Sequence, residues 1–221
     1  MTIRERQEQV ERVLRGAGVM PVLTVSSVDQ GLRLADVLAG AGLTVLELTL
    51  RTPAALDAMA AIRKARPDVT IGAGTVLTGD QIQAAVDHGA HFLVTPGTPP
   101  ELAEALAAAP VPAVPGAATP TEFMALMAIG FRVCKLFPAH ALGGLAMVRA
   151  LAGPLPELRL CVNGGVTGAS AADYLAEPNV VAVGGSWMVP GGWLAAGDWD
   201  RVHESATKAA AIAAQARAAR G

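Results

Sequence analysis

Short apolar segments alternate with longer segments of helical periodicity along most of the chain. Each apolar segment has the length and composition of a buried strand. Eight strands are predicted, at residues 22–25, 44–50, 70–75, 92–95, 113–116, 132–137, 159–163 and 180–184. Ala- and Leu-rich helices are predicted after them, at residues 28–39, 53–65, 79–88, 99–108, 120–129, 144–151, 169–176 and 199–219.

The order of these elements predicts the architecture. Strands that alternate with helices form a parallel sheet, because parallel neighbours need a crossover connection. Eight repeats favour an α/β fold closed into a (β/α)8 barrel, with an amphipathic helix over residues 1–16 before it. We expect one domain over residues 1–221, with the barrel at 21–219. The alternative is an open, doubly wound sheet, but no Gly-x-Gly-x-x-Gly motif follows the first strand.

Composition and charge narrow the classes of function. The 221 residues are 52% hydrophobic and 16% charged, which suits one domain with a sizeable core. The net charge is −2 and there is no long basic run, so no nucleic-acid partner is expected. No apolar stretch reaches the roughly 18 residues of a membrane span, and the N-terminus lacks an apolar signal region.

The cysteines and histidines give no indication of a metal site. Cys134 and Cys161 lie in apolar strand patterns without metal-ligand spacing, and the four histidines form no recognisable ligand set. We therefore expect buried free thiols in a cytoplasmic protein, and neither a metal nor another cofactor.

The predicted strand at residues 132–137 contains a lysine. Lys135 is one of three lysines, and the other two, Lys64 and Lys208, lie in polar helical surroundings. An ammonium group among apolar side chains is disfavoured in its charged form, and a neutral amine can form a Schiff base with a carbonyl group. The position predicts a nucleophile. The alternative is a lysine that extends from the strand end to solvent.

The second predicted strand carries a glutamate and an arginine on one face. Glu47, Thr49 and Arg51 share this face because side chains alternate along a strand. Charged groups in such an apolar context are costly unless they line a polar cavity. The second and sixth strands lie roughly opposite each other in a ring of eight, so we expect these charges to approach Lys135. The alternative is an ion pair that only fixes the register.

Glycine-rich turns follow several predicted strands. At residues 72–74, 96–97 and 115–116, glycine either lets a ligand approach the backbone or only turns the chain. The turns at 163–165 and 184–186 are more specific, because the loops after strands seven and eight of such barrels often bind phosphate. We expect a phosphate site there, with Ser186 as an additional donor; two tight turns are the alternative.

Four segments resemble the 2-keto-3-deoxy-6-phosphogluconate (KDPG) aldolase family, which includes 4-hydroxy-2-oxoglutarate (KHG) aldolases. They are Gly-Leu-Thr-Val-Leu-Glu-Leu-Thr-Leu-Arg at 42–51, Gly-Ala-Gly-Thr-Val at 72–76, Lys-Leu-Phe-Pro-Ala at 135–139 and Val-Gly-Gly-Ser-Trp at 183–187. The resemblance covers nearly the whole chain in the right order. It implies a class I, metal-free aldolase with a TIM barrel fold, usually trimeric and cytoplasmic.

The resemblance also implies roles for individual residues. Lys135 resembles the Schiff-base lysine of the family, and Glu47 resembles its general acid/base. The implied substrate-binding residues are Arg51 and Thr75 for the carboxylate, Pro96 and Phe137 as walls of the pyruvate pocket, and Asn163. The implied phosphate-binding residues are Gly164, Gly165, Gly184, Gly185 and Ser186.

One segment departs from the family pattern. KDPG aldolases commonly have Pro-Thr-Gly-Gly at strand seven, where this chain has Val162-Asn163-Gly164-Gly165. An amide thus replaces a hydroxyl group, although it can still donate and accept hydrogen bonds. The departure leaves open the preferred configuration at C4 of the substrate and the need for a phosphate group.

The expected partners are therefore small molecules: a ketoacid and an aldehyde phosphate. The expected reaction is the reversible cleavage of 2-dehydro-3-deoxy-6-phosphogluconate into pyruvate and D-glyceraldehyde 3-phosphate. Alternatives on the same site are 4-hydroxy-2-oxoglutarate and the phosphogalactonate epimer. More distant ones are a phosphosugar isomerase or epimerase that uses Glu47 as a base without a covalent intermediate, and a binding barrel without turnover.

Overall fold

The computed structural model describes residues 1–219; residues 220 and 221, the end of the predicted domain, lie outside the described part. Within this described part, nine parallel strands form one sheet in the order β5-β4-β3-β2-β1-β9-β8-β7-β6. The strands are β1 Val19–Leu23, β2 Val45–Thr49, β3 Thr70–Gly74, β4 Phe92–Val94, β5 Ala113–Val114, β6 Gly116–Ala117, β7 Val133–Leu136, β8 Arg159–Asn163 and β9 Val180–Gly185. The predicted (β/α)8 barrel and the helix that precedes it are confirmed.

Helices lie between the strands and after the last one. Within residues 1–219 they are α1 Ile3–Ala17, α2 Val28–Gly40, α3 Ala55–Ala65, α4 Gly79–Asp87, α5 Pro100–Ala108, α6 Pro120–Ile129, α7 Leu145–Ala152, α8 Ala171–Ala176, α9 Gly191–Ala196 and α10 Trp199–Ala218. Four of them begin at a residue whose side-chain hydroxyl group accepts a hydrogen bond from a backbone N–H of the first turn. These caps are Thr2, Ser27, Thr78 and Thr119. None of the described helices is both long and apolar enough to cross a membrane.

The fifth predicted strand, at 113–116, is interrupted. Pro115 has no N–H group to donate to a neighbouring strand, and the segment divides there into β5 and β6. β5 pairs with β4, whereas β6 pairs with β7 on the other side. The Pro115 carbonyl still accepts a hydrogen bond of 2.8 Å from Lys135 N. Five consecutive residues therefore join the two edges of the sheet and close the barrel.

The predicted bounds of the first strand were wrong. The prediction began at residue 22, beyond Pro21, whereas β1 begins at Val19. Pro21 lies inside β1 beside Gly185 of β9. The predicted strand left out this proline, which costs the ladder one hydrogen bond because it has no N–H group to donate.

Two apolar layers follow from the alternation of side chains along the strands. In β7, Cys134 and Leu136 belong to the large cluster that packs the strands against the helices. Val133 belongs to a smaller cluster that includes Val10 and Leu14 of α1, so it faces the barrel interior. Lys135 has the same parity as Val133 and also points inward.

Helix α1 closes the amino-terminal end of the barrel. The buried Gln7 side chain donates from Nε2 to the Ala113 carbonyl of β5 at 2.8 Å. Its Oε1 accepts from the N–H groups of Arg132 and Val133 at 2.9 and 2.8 Å. The Gln7 amide thus links β5, on one side of Pro115, to the start of β7, which pairs with β6 on the other side.

Candidate active site

The lysine of β7 and the glutamate of β2 meet inside the barrel. Lys135 Nζ lies 3.1 Å from Glu47 Oε1, although the two residues are 88 positions apart in the chain. Lys135 is 5% exposed and Glu47 is 0% exposed. Lys135 Nζ also lies 5.4 Å from the centre of the Phe137 ring, within the range of a cation–π contact. The alternative of a lysine extended to solvent is therefore excluded.

Glycine on β3 makes room for the Glu47 side chain. A Cβ atom at Gly74 would lie 2.3 Å from Glu47 Oε1, which no real contact allows. The other carboxylate oxygen, Oε2, is buried and has no hydrogen-bond partner in the described part of the chain. An unsatisfied buried acceptor costs about 1–3 kcal/mol, so it is rare in a packed core and marks a group that can act on a ligand.

Arg51 follows β2 and is held by a residue with unusual backbone geometry. Arg51 Nε donates to Thr75 Oγ1 at 3.0 Å, which leaves both Nη groups without a partner among residues 1–219. Thr75 has a φ of +58°. This left-handed conformation is unfavourable for a β-branched residue and is found mainly at functional sites. Nothing in the sequence pattern indicated it.

Most of the predicted site residues line one cavity of about 310 Å³ at the carboxyl ends of the strands. They are Arg51, Lys135, Phe137, Asn163, Gly164, Gly165, Gly184, Gly185 and Ser186. Glu47 contacts Lys135 and Thr75 contacts Arg51, but neither belongs to the lining. Pro96 is also outside the lining; it follows β4, and its backbone packs against Gly116.

Three further residues line the cavity and were not predicted as site residues: Val22, Val166 and Trp187. Val22 has the same parity on β1 as the inward-facing Met20, but the incorrect strand bounds concealed this. Trp187 follows the Gly-Gly-Ser turn, and an aromatic residue directly after that turn could have indicated a residue of the cavity lining. Nothing in the sequence around Val166 indicated that it lines the cavity.

The glycines that follow β8 and end β9 serve packing as well as access. A Cβ at Gly165 would lie 2.4 Å from His140 Cβ, and one at Gly185 would lie 2.4 Å from the Trp187 ring. Gly164 and Gly165 have φ values of +89° and +85°, which favour glycine in any case. The N–H groups of Gly164, Gly165 and Ser186 donate to no other described residue. Such unpaired N–H groups at one end of a cavity can bind an anion.

A thiol lies beside the charged pair. Cys161 faces Lys135 in the β7–β8 pairing, and its Sγ donates to Asn163 Oδ1 at 3.3 Å. The pKa of Cys161 is raised to about 12, mainly by burial; the nearby Glu47 charge also raises it, and the Lys135 charge lowers it. Cys134, on the outer face of β7, also has a pKa raised by burial. Both thiols are therefore protonated at neutral pH. Among residues 1–219, no group of three or more His, Cys, Asp or Glu side chains could hold a metal ion.

Residues 10–205 match the family model described as KDPG and KHG aldolase. The chain belongs to this family. A 2-dehydro-3-deoxy-phosphogluconate aldolase of Pseudomonas aeruginosa is 42% identical to it over 207 residues, 94% of each chain. The family assignment makes the chain an enzyme, a lyase of the aldolase type.

Solved structures of KDPG aldolases have the same fold as this family member. The enzyme of Zymomonas mobilis with 3-phosphoglycerate has a TM-score of 0.88 at 36% identity, covering 93% of this chain and 97% of its own. The enzyme of Legionella pneumophila has a TM-score of 0.86 at 37% identity, covering 89% of this chain and 96% of its own. In that structure, pyruvate was captured at low pH as a covalent carbinolamine intermediate.

Proposed function

We propose that this KDPG and KHG aldolase family member is a class I aldolase. It reversibly cleaves 2-dehydro-3-deoxy-6-phosphogluconate into pyruvate and D-glyceraldehyde 3-phosphate through a Schiff base on Lys135. The observation that carries the proposal is the buried pair of Lys135 Nζ and Glu47 Oε1, 3.1 Å apart behind one cavity. The pyruvate carbinolamine of the Legionella pneumophila relative supports the covalent step.

The first step needs an unprotonated amine. Glu47 is the carboxylate within hydrogen-bond distance of Lys135 Nζ and accepts its proton. The free amine then attacks the C2 carbonyl carbon of the ketoacid and forms a carbinolamine. Glu47 then returns this proton to the hydroxyl group of the carbinolamine, which leaves as water and gives the iminium ion, so that Glu47 is again a carboxylate.

The iminium ion makes cleavage of the C3–C4 bond possible because it withdraws electrons from that bond. Glu47 takes the proton of the C4 hydroxyl group, directly or through a water molecule, and the aldehyde leaves. The unpartnered Glu47 Oε2 supports this role, since it can accept a proton while Oε1 contacts the lysine. A proton then returns to C3 of the enamine, and hydrolysis releases pyruvate. Acid–base catalysis of this kind contributes about 10²- to 10⁴-fold in rate.

The two ends of the substrate differ in the donors that they meet. The Nη groups of Arg51 hold the carboxylate in a two-pronged hydrogen bond, while Thr75 fixes the guanidinium through Nε. The N–H groups of Gly164, Gly165 and Ser186 bind the phosphate. Phe137 and Asn163 line the space between these ends. Pro96 is proposed as part of the pyruvate pocket only on the family resemblance.

Five further properties belong to the proposal. The chain forms one aldolase domain, acts in the cytoplasm and assembles as a homotrimer. The reaction needs no metal ion, because the iminium group is itself the electron sink. The partners are the ketoacid and the aldehyde phosphate.

Reductive trapping tests the covalent step. Incubation with pyruvate and borohydride is expected to inactivate the enzyme and to add a reduced pyruvate group to Lys135, as measured by peptide mass spectrometry. Lys135→Arg is expected to lose turnover and trapping together, because a guanidinium group stays protonated. Lys208→Arg, at an exposed position on α10, is the matched control and should behave as the wild type. Normal cleavage without modification of Lys135 would favour a non-covalent isomerase or epimerase type of site instead.

The choice of substrate is tested with the same enzyme preparation. Initial rates are compared for the phosphogluconate substrate, its phosphogalactonate epimer at C4 and unphosphorylated 4-hydroxy-2-oxoglutarate. We expect the highest kcat/KM for the first, because the unpaired N–H groups at the cavity end match a phosphate. A higher kcat/KM for 4-hydroxy-2-oxoglutarate would assign the chain to the KHG activity that the family description also names.

A further inference from the structure

The side-chain amide of Asn163 is held on two sides at the end of β8. Asn163 is 3% exposed, and what is exposed belongs to the lining of the catalytic cavity. Cys161 lies two positions earlier on the same face of the strand and contacts Asn163 Oδ1. Gly184 of β9 lies opposite in the pairing register, and a Cβ there would lie 2.2 Å from Asn163 Nδ2. The amide therefore has one neighbour for each of its ends.

The Cys161 thiol determines which end of the Asn163 amide has a hydrogen-bond partner inside the protein. Cys161 is fully buried and protonated at neutral pH, so Sγ has a hydrogen to donate. Its donation occupies Oδ1 as an acceptor. Nδ2 donates to no other described residue and is not among the buried unpartnered atoms. The two N–H hydrogens of the amide are thus left for the cavity.

We propose that Cys161 is a positioning residue that fixes the Asn163 amide so that it offers only hydrogen-bond donors to the cavity. The inference rests on the proposed function and adds a selection rule to it. The group of the substrate that faces β8 must be an oxygen that accepts a hydrogen bond, and an ammonium group is rejected there. A donor at this place also stabilises an oxygen on which negative charge develops during bond cleavage.

The second cysteine provides a matched comparison. Cys134 and Cys161 lie on adjacent strands, are fully buried and lose the same single sulfur atom when truncated to alanine. Cys134 belongs to the outer cluster between strands and helices, whereas Cys161 belongs to the inner cluster under the active site. A thiol is also suited to this inner position, because it packs as an apolar group and still donates a weak hydrogen bond.

The experiment compares three single-cysteine variants, and a double variant with Asn163→Ala, in steady-state cleavage assays. Cys161→Ala is expected to lower kcat/KM about tenfold. This is the factor that accompanies loss of one well-directed hydrogen bond, here the one that the Asn163 amide donates to the substrate. Cys161→Ser is expected to stay within about twofold of the wild type, because its hydroxyl group can donate to Asn163 Oδ1. Cys134→Ala should keep the wild-type kcat/KM, although all truncations lower the urea midpoint. In an Asn163→Ala background, Cys161→Ala should cause no further loss of activity.

Two outcomes would overturn the inference. If Cys161→Ala and Cys134→Ala both keep wild-type kcat/KM, or if Cys161→Ser loses as much as Cys161→Ala, then Cys161 only fills space. If Cys161→Ala does not fold, Cys161→Val keeps the volume without the donor and gives the same comparison. Trapping of pyruvate on Lys135 is measured in each variant. Failure of trapping in the wild type would contradict the proposed function, whereas trapping that persists in Cys161→Ala isolates the effect on Asn163.

Discussion

At the scale of single residues, the geometry of the site depends on the absence of a side chain at Gly74 as well as on the charged side chains themselves. Gly74 lacks the Cβ that would collide with Glu47 Oε1. Thr75, the next residue, accepts a left-handed backbone and thereby presents its hydroxyl group to Arg51. The end of β3 therefore determines the positions of both charged side chains of the β2 segment.

Gly74→Ala tests this dependence. The added methyl group would lie 2.3 Å from Glu47 Oε1, so the carboxylate must move away from Lys135. We expect kcat to fall by about 10²-fold or more, since acid–base catalysis by a positioned group is worth that much. Stability should fall by about 1–3 kcal/mol because of overpacking. Steady-state kinetics and urea unfolding measure the two effects.

Gly40→Ala is the control for this substitution. Gly40 is exposed at the end of α2, and no atom lies within 4 Å of its added Cβ. The change should leave kcat as it is and raise stability by up to about 0.5–1 kcal/mol. Wild-type kcat in Gly74→Ala would mean that the position of Glu47 does not limit the reaction.

At the scale of secondary-structure elements, the weakest part of the barrel is the segment that contains Pro115. β5 and β6 have two residues each, and each pairs with only one neighbouring strand. The Gln7 amide of α1 compensates at the amino-terminal end, where it satisfies one carbonyl and two N–H groups across the gap. Helix α1 is therefore part of the closure of the barrel.

Gln7→Ala is expected to destabilise the protein by roughly 3 kcal/mol, because three backbone groups lose their partner and an unsatisfied buried group costs about 1–3 kcal/mol. Gln9→Ala, at an exposed position of the same helix, should change stability by less than about 0.5 kcal/mol. Urea unfolding curves of both variants measure the difference. Equal midpoints for the two variants would show that the bridge contributes nothing to the closure.

At the scale of the whole molecule, helix α6 has an exposed apolar face, formed by Met124, Ala125, Ala128 and Ile129. Only Phe123 and Leu126 of this helix are fully buried. Met124 is 58% exposed and Ile129 is 37% exposed. Isolated surface hydrophobics are common, but a contiguous apolar face marks an interaction surface. This face supports the proposed homotrimer.

Charge on this face should separate the subunits. The wild type is expected to have about three times the 22.4 kDa of one chain in light scattering. Met124→Glu combined with Ile129→Glu is expected to shift the mass to that of one chain, because two carboxylates would be buried without partners. Gln83→Glu, at an exposed position of α4, is the control. A trimer that persists in the double variant would mean that the interface lies elsewhere, and a wild-type mass of 22.4 kDa would contradict the homotrimer.

The sequence by itself determined the alternation of strands and helices, and with it the barrel. The two-residue period of a strand and the 3.6-residue period of a helix are local properties of the chain, so they can be recognised without knowledge of tertiary contacts. Parity along two strands was also enough to direct Glu47 and Lys135 toward each other. The resemblance to the KDPG aldolase family rested on the same short segments.

Tertiary structure alone decided the features that depend on residues distant in the chain. The break at Pro115 follows from having different pairing partners on its two sides. The left-handed Thr75 and the space beside Gly74 depend on how β3 packs against β2. The orientation of the Asn163 amide depends on a neighbouring thiol and on a glycine of the next strand. Strand periodicity indicates which face a side chain occupies, but the atoms that it meets there come from other strands and are known only once the barrel is closed.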